Sequence, residues 1–443
     1  MAGGGTGNHA PAAAQAGTNS PDLRARDAAA PGSQSAEVMT QAPSPQAVVI
    51  VGAGPAGASL AMLLAERGVP VTLVEAARDF QRQFRGEGLM PSGLAALEAM
   101  GCGPLLARLP QRTLSAWSFQ LHGRELFRVE EPLEGDRPCT LISQPALLDA
   151  LLERASRASG FQWRPGLAVV DLIEAGGRIT GVVLSDGSRL AASLVVATDG
   201  RSSLVRQRSG LELERQSSPI DLLWFRLPSH PRFERDNVFT MLLGEDGSAC
   251  SLFHGALPGE LQLGWVLSPG ERIERSPQAW GEAFAAMAPG WLADHLLEVA
   301  PAISSPLKLS VQVGCCRRWH RPGLLLLGDA SHPMSPIRAQ GINMALRDAI
   351  VATNHLLAPL LAGDAAAIDS SLDQIQAQRW PEIRRAQALQ QQEARQAQLL
   401  RRTPLLRRGL VQLAPWLGER IGHSWRQRQI PLRQGLAPVQ LTV

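Results

Sequence analysis

Between Val48 and Glu75 the chain reads VVIVGAGPAGASLAMLLAERGVPVTLVE, an order of residues that narrows the possible folds more than any other stretch does. Val48-Val49-Ile50-Val51 carries no charge, which suits a strand buried on both faces of a parallel sheet. Gly52-x-Gly54-x-x-Gly57 follows, then a helix-compatible run from Ala58 to Arg67 with Gly68 as its stop signal. A second strand is expected from Val69 to Val74, ending at Glu75. In such a βαβ unit the first glycine permits a tight turn, the second lets the backbone approach a pyrophosphate, and the third lets helix and strand pack closely. The helix N-terminus then meets phosphate charge with unpaired N–H groups. Glu75 falls eighteen positions beyond Gly57, where a carboxylate accepts hydrogen bonds from a ribose. The glycine spacing alone is weak evidence, but strand, glycines, helix, strand and terminal acid together are strong evidence.

A chain of 443 residues has room for two domains and a sizeable core, and its apolar fraction of 45% is ordinary for a globular protein. A formal net charge of +3 excludes a bulk polyelectrolyte role. The basic charge is almost all arginine: Lys308 is the single lysine, and there is no tyrosine, so chemistry needing several lysines is excluded. Cys102, Cys139, Cys250, Cys315 and Cys316 form no C-x-x-C pattern and have no histidine at zinc spacing. No metal site is expected, and the thiols point to a reducing, cytoplasmic setting. No uncharged apolar run is long enough to span a bilayer, and the N-terminus lacks the pattern of a signal peptide.

Residues 1–46 are rich in Ala, Gly, Pro, Ser and Gln without periodicity and read as a disordered leader, with Met39 an alternative start. Residues 115–130 read as a strand pair turning at His122-Gly123. Leu141 to Ala155 reads as a helix with Ser143 as N-cap and Pro145 in its first turn. Residues 167–190 alternate like a hairpin, and Leu194 to Ala197 is another uncharged strand ending at Asp199-Gly200. Residues 214–317 alternate as an antiparallel sheet, broken by a helical insert near 277–297. A last buried strand, Gly323 to Leu327, leads into Gly328-Asp329-Ala330, and a helix follows from near Gly341 to about Leu360.

Three motifs now stand in order. They are the glycines at 52–57, then Asp199-Gly200-Arg201 after an apolar strand, then Gly328-Asp329-Ala330-Ser331-His332-Pro333 through Pro336 and Gln340-Gly341-Ile342-Asn343. Together they resemble the FAD-dependent aromatic hydroxylases, the family of p-hydroxybenzoate hydroxylase and the ubiquinone-biosynthesis hydroxylases, over residues 47 to 360. The resemblance implies an α/β fold: a Rossmann-like FAD-binding domain with a parallel sheet (47–118, 139–213 and 318–360), and an antiparallel-sheet substrate domain (119–138 and 214–317). A helical, basic C-terminal region (361–443) follows. It implies that Gly52, Gly54, Pro55, Ala56, Gly57 and Glu75 hold the ADP half of FAD, and that Arg85 and Gln144 approach the flavin. Asp199 would serve FAD and NAD(P)H binding, Asp329 the ribityl chain, and Pro336 the flavin ring. Gln340, Gly341, Ile342 and Asn343 would offer N–H groups at the flavin's pyrimidine edge, where a helix N-terminus stabilises a reduced, anionic flavin. Ile337-Arg338-Ala339 stands where most relatives carry glycines.

The implied reaction is reduction of FAD by NADPH or NADH, capture of O₂ as a flavin hydroperoxide, and transfer of one oxygen atom to an aromatic or lipophilic small molecule. No protein nucleophile and no metal is needed. Substrate contacts are expected from Asp221-Leu222-Leu223-Trp224-Phe225-Arg226 and Phe253-His254. Arg226 is the candidate catalytic side chain, with a surface role as the alternative, and His254 reads as structural. From 371 onward twelve arginines face four carboxylates, with leucines and tryptophans interleaved. Such helices either pack on the flavin domain with a solvated basic face or contact an anionic membrane surface peripherally. No nucleic-acid motif accompanies them, and the oligomeric state is left open. Two other readings use the same scaffold: a reductase of isoprenoid double bonds, and a non-catalytic FAD-binding protein.

Overall fold

The computed structural model describes residues 47–81, 87–133, 135, 137–218 and 220–443. The proposed leader, 1–46, and Arg85 lie outside the described residues.

The uncharged strands assemble side by side. A six-stranded sheet runs in the order His320–Arg321, Leu324–Leu326, Leu194–Ala197, Val48–Val51, Val71–Glu75, Phe161–Pro165. All its pairs are parallel except the first. Alternate residues of Val48–Val51 enter opposite cores, which is why the run needs no polar position. Val48 and Ile50 pack with the helices Pro55–Ala65, Gln144–Ala155 and Gln340–Ala362, whereas Val49 and Val51 pack with Ile179, Val182, Trp319 and Ile383. The first helix starts at Pro55, three residues before the expected Ala58, because proline fits its first turn and donates no N–H there. Gly68, at φ +84°, follows its end as the sequence predicts.

Residues 167–191 form three antiparallel strands laid over this sheet. The helix expected from Leu141 begins instead at Gln144. Thr140–Ile142 is a strand paired with both Gly88–Leu89 and Gln111–Thr113, so tertiary pairing overrides the local helical signal.

A seven-stranded sheet forms the second layer system, ordered Leu307–Leu309, Asp221–Pro228, Glu260–Leu267, Ala249–His254, Val238–Leu243, Ala116–Leu121, Arg124–Glu130. Its strands are antiparallel except for Val238–Leu243 with Ala116–Leu121, a parallel pair that joins segments more than a hundred residues apart. The tight turn between the last two strands uses His122 and Gly123, both at positive φ. One face packs Leu223, Phe225, Leu252, Leu263 and Trp265 against the helices Pro277–Ala285 and Gly290–Glu298. The other face presents Trp117, Phe127, Trp224 and Phe253 to Met90, Leu141 and Trp425.

The C-terminal region is helical, as Ala365–Arg402 and Pro404–Gln434. The last helix lies on Arg124–Glu130 so closely that a Cβ on Gly418 would fall 2.4 Å from the Leu126 carbonyl. The tail then returns to the first helix, where Arg67 donates to the Val443 carbonyl at 2.8 and 3.0 Å. Among the described residues, no helix is long and apolar enough to cross a membrane.

Candidate active site

The glycine turn is built as its spacing requires. Gly52 has φ +96°, and a Cβ there would fall 2.6 Å from the Thr198 carbonyl. A Cβ on Gly57 would stand 1.9 Å from the Gly52 carbonyl, so helix and strand are in backbone contact. Gly54 differs, because a Cβ would meet nothing within 4 Å. That open space sits at the N-terminus of Pro55–Ala65, beside Ala56, whose N–H groups lack helical acceptors. Glu75 is buried and closes the turn from the neighbouring strand, accepting from Ala53 N at 2.9 Å and Ala77 N at 2.9 Å.

The second motif lies across this turn. Asp199 Oδ2 accepts from Val205 N at 3.2 Å, while Oδ1 is buried without a hydrogen-bond partner. Burial pushes the Asp199 carboxyl up from its ordinary value, against hydrogen bonds from Ser203 and the Val205 backbone. Arg206, on the short helix Leu204–Arg208 with Val205, donates to Ala330 O at 2.7 Å and Arg201 O at 2.9 Å, joining the second motif to the third.

Behind the third motif lies a buried ionic network. His332 Nε2 and Asp348 Oδ2 are 2.7 Å apart, and the same oxygen accepts from Gly328 N at 3.1 Å. Arg379 donates to Asp348 Oδ1 at 2.7 Å and pairs with Glu382, which also accepts from Arg347 at 2.7 Å. Burial would raise the Asp348 and Glu382 carboxyls, but the cations beside them win and hold both below the ordinary range. Gln390 Nε2 reaches Ser335 O at 2.9 Å and Ile337 O at 2.6 Å, so the helix Ala365–Arg402 braces the loop that carries Asp329 and Pro336.

Ile337-Arg338-Ala339 is a 3₁₀ turn with Arg338 at φ +61° and Ala339 at φ +50°, the conformation glycine adopts most easily. The Arg338 guanidinium lies 4.7 Å from the Trp425 ring centre, 5.1 Å from Trp117 and 5.7 Å from Phe119, and pairs with Glu393. Its side chain therefore points away from Gln340–Ala362 and clamps the loop to the seven-stranded sheet. Gly341 opens that helix beside Asp329, whose Oδ1 would be 3.8 Å from a Cβ there, and Gln340 keeps a buried Oε1 without a hydrogen-bond partner. Ile342 turns into the core. Asn343 stitches rather than projects: its Oδ1 accepts from Met90 N at 2.9 Å, and its Nδ2 donates to Ala339 O at 2.6 Å. Gln144, buried at the start of its helix, follows the strand that pairs with Gly88–Leu89.

Strand alternation divides the expected substrate segments. Trp224, Arg226 and Phe253 share the face turned toward the flavin motifs, whereas Phe225 lies in the opposite core. His254 is fully buried and paired with Glu234 at 2.7 Å, the structural role expected of it. Arg226 is 45% exposed at the rim, 3.7 Å from Glu260. The sequence reading missed Glu87 and Gln262, which meet across the seam between the sheets. Glu87 Oε2 accepts from Ala256 N at 3.1 Å, and the Gln262 side chain hydrogen-bonds the same carboxyl. Alternation along 261–267 places Gln262 on the Trp224 face, a signal available in the sequence, whereas nothing local marks Glu87.

The three motifs thus bring together open space at Gly54, orphaned acceptors at Asp199 and Gln340, and a helix N-terminus at Gly341. That donor and acceptor set fits an extended ligand carrying phosphates and hydroxyls, and the comparisons agree. A family model described as FAD binding domain matches residues 46–390. The 6-methylpretetramide 4-monooxygenase of Streptomyces rimosus is 35% identical over 80% of this chain and 86% of its own length. The ubiquinone hydroxylase UbiL of Rhodospirillum rubrum is 28% identical over 82% and 84%. In structure, p-nitrophenol 4-monooxygenase from Pseudomonas putida superposes with TM-score 0.71 over 88% of this chain and 98% of that one, at 19% identity, which shows a shared fold. The chain belongs to the FAD-dependent aromatic monooxygenases. It is an oxidoreductase that binds FAD and uses NAD(P)H and O₂.

Proposed function

We propose that this monooxygenase hydroxylates a planar phenolic substrate with fused rings, held between the aromatic face of the seven-stranded sheet and the helix Gln340–Ala362. One observation carries the reading. Trp224, Phe253 and Phe239 form a continuous row, with successive ring centres 6.0 and 5.4 Å apart, along the seam facing the third motif. A row of that extent suits stacking of more than one ring. The relative at 35% identity is named for acting on 6-methylpretetramide, which supports a substrate of that kind.

In this reading Gly52, Gly54, Pro55, Ala56, Gly57 and Glu75 hold the ADP half of FAD. Asp199, Asp329, Pro336 and residues 340–343 surround the remainder, with Gln144 nearby. FAD held there would supply the redox chemistry that couples oxidation of NAD(P)H to transfer of one atom of O₂ to the substrate. The protein orients both partners, and the packed seam of Met90, Leu141 and Trp425 excludes water. Arg226, at the rim, orients an anionic group of the substrate.

The visible spectrum of the FAD-loaded protein, before and after anaerobic NADPH or NADH, tests the cofactor assignment. Oxygen uptake is then compared with product formed across a panel of one-ring and fused-ring phenols. Coupled turnover with a higher kcat/KM for fused rings is expected. Preference for one-ring phenols would overturn the substrate reading, and failure to bind FAD after reconstitution would overturn the site assignment.

A second observation favours peripheral membrane contact. Leu405 and Trp416 are 79% and 73% exposed on one face of Pro404–Gln434, with Arg408 and Arg420 also exposed. Apolar side chains between arginines match an anionic lipid surface. Flotation with vesicles containing anionic lipid is expected, and absence of co-flotation would remove the reading. Five buried free thiols favour a cytoplasmic location.

A further inference from the structure

The seam between the two sheets holds a carboxylate that hydride and oxygen transfer leave unused. By its backbone Glu87 belongs to the flavin-binding unit: its carbonyl accepts from Ile142 N at 2.9 Å, and the adjoining Gly88 is tied to Asn343. Its side chain crosses to the substrate sheet, to Ala256 N and Gln262. Gln262 is 7% exposed, and its Oε1 is buried without a hydrogen-bond partner. The turn approaches closely here, since a Cβ on Gly255 would fall 2.7 Å from Gln262 Nε2 and 3.4 Å from Glu87 Oε2. A neutral amide would brace two sheets without the cost of desolvating a charge, so a carboxylate at this position needs another reason.

Lys308, His254 and His332 are engaged elsewhere. The chain has no tyrosine, and Lys308 donates to the Glu271 carbonyl. His254 faces away toward Glu234, and His332 lies behind the loop on Asp348.

We propose that Glu87 is the catalytic proton acceptor for a phenolic hydroxyl of the substrate, and that Gln262 positions it. This rests on the phenolic part of the reading above. As the new C–O bond forms on the ring, the O–O bond that supplies the oxygen breaks, and its electron pair leaves with the second oxygen atom, which becomes water with protons from solvent. The phenol O–H bond breaks at the same time, and its electron pair moves into the ring as C=O. The proton goes to a Glu87 oxygen. When the ring carbon loses its hydrogen to solvent as a proton, that electron pair restores the aromatic ring, and Glu87 returns its proton to the carbonyl oxygen. Ar–H becomes Ar–OH, and Glu87 ends as it began.

Burial raises the Glu87 carboxyl. The Ala256 N–H, the Gln262 amide and Arg226 pull it down, and Glu260 pushes it up again. Phenol recognition should therefore fade as pH falls through a value above the ordinary carboxylate range. The test uses FAD-loaded wild type, Glu87→Gln and Glu87→Asp, with one-ring and fused-ring phenols and their aryl methyl ethers. Binding is read by tryptophan quenching across pH, and product is read per NAD(P)H consumed. Wild type should favour each bound phenol over its ether by about tenfold or more at high pH, losing that preference on acidification. Glu87→Gln should show no pH-dependent preference and produce peroxide instead of product, with NAD(P)H still reducing its flavin. Glu87→Asp should restore part of the preference with its pH dependence.

Equal binding of phenols and ethers by wild type would overturn the proposal, as would unchanged preference and coupling in Glu87→Gln. Should Glu87→Gln not fold, a folded Glu87→Asp protein with no pH-dependent preference for phenol over ether would overturn it. The contrast between phenol and ether judges Glu87, and the contrast between one and several rings judges the substrate reading, so either can fail alone.

Discussion

Replacing Arg338 with glycine restores the residue type that its backbone angles favour, yet the contacts predict that the protein loses stability. Relief of the left-handed conformation contributes about 1–2 kcal/mol, less about 0.4–1 kcal/mol for the freer unfolded chain. Against this, a guanidinium with 8% exposure lies over three aromatic rings, which is worth about 2 kcal/mol when desolvated. Its charged hydrogen bond to Glu393 adds about 1.5–3 kcal/mol, and that carboxylate would be left only 22% exposed without its cation. The losses exceed the relief by about 3 kcal/mol. With an unfolding entropy near 2.1 cal/mol/K per residue over roughly 400 residues, that is about 4 °C in melting temperature. Arg338→Ala loses the same contacts without relieving the backbone and should melt lower still. Arg338→Lys keeps the charge but loses the planar stacking and should fall between wild type and Arg338→Gly. Differential scanning fluorimetry of the FAD-loaded variants gives the order. An Arg338→Gly protein melting at or above wild type would show that the backbone penalty outweighs the clamp.

Gly54 and Gly57 should separate binding from folding. Gly54→Ala, with open space around its Cβ, should leave apo stability unchanged but raise the Kd for FAD tenfold or more by flavin fluorescence titration. Gly57→Ala, which forces 1.9 Å against the Gly52 carbonyl, should lower both stability and affinity. Asp348→Ala takes one of two carboxylate partners from buried Arg379, and the partner of His332, and should cost about 3 kcal/mol in denaturant titration. Because Asp348 is held below its unfolded value, its contribution is complete above about pH 4 and lost as pH falls through the folded value. Asp348→Asn should therefore be less stable at pH 7 and lose stability less steeply on acidification. The thiols should be inert: burial pushes Cys102 up to about 11 and Cys139 up to about 12, so Ellman's reagent at pH 8 should titrate them only after denaturation.

The legible part of the molecule is local. Val48–Val51, the glycine turn and Glu75 can be read from sequence because each residue's job is set by neighbours within one βαβ unit. The terminal helices are equally plain in their amphipathic pattern. Pairings across long separations were not legible: Thr140–Ile142 becomes a strand only because Gly88–Leu89 and Gln111–Thr113 flank it, and Val238–Leu243 joins Ala116–Leu121 in parallel within an otherwise antiparallel sheet. The same limit hid Glu87. Its partners Ala256 and Gln262 lie some 170 positions away, and no spacing rule connects them.

Arg338 shows why a departure from a motif does not by itself argue for lost function. In sequence, bulk and charge among expected glycines suggest a spoiled flavin loop. In three dimensions the left-handed turn directs the guanidinium outward, into a box supplied by Trp117 and Phe119 from the substrate sheet and Trp425 from the terminal helix. Glu393 and Gln390, on the preceding helix, hold the arginine and the Ile337 carbonyl. Side chains from three distant segments thus fix the loop that carries Pro336, a job glycine could not do. The substitution and the long C-terminal helices are one device: each leaves a buried charge or an uncovered aromatic face without the other.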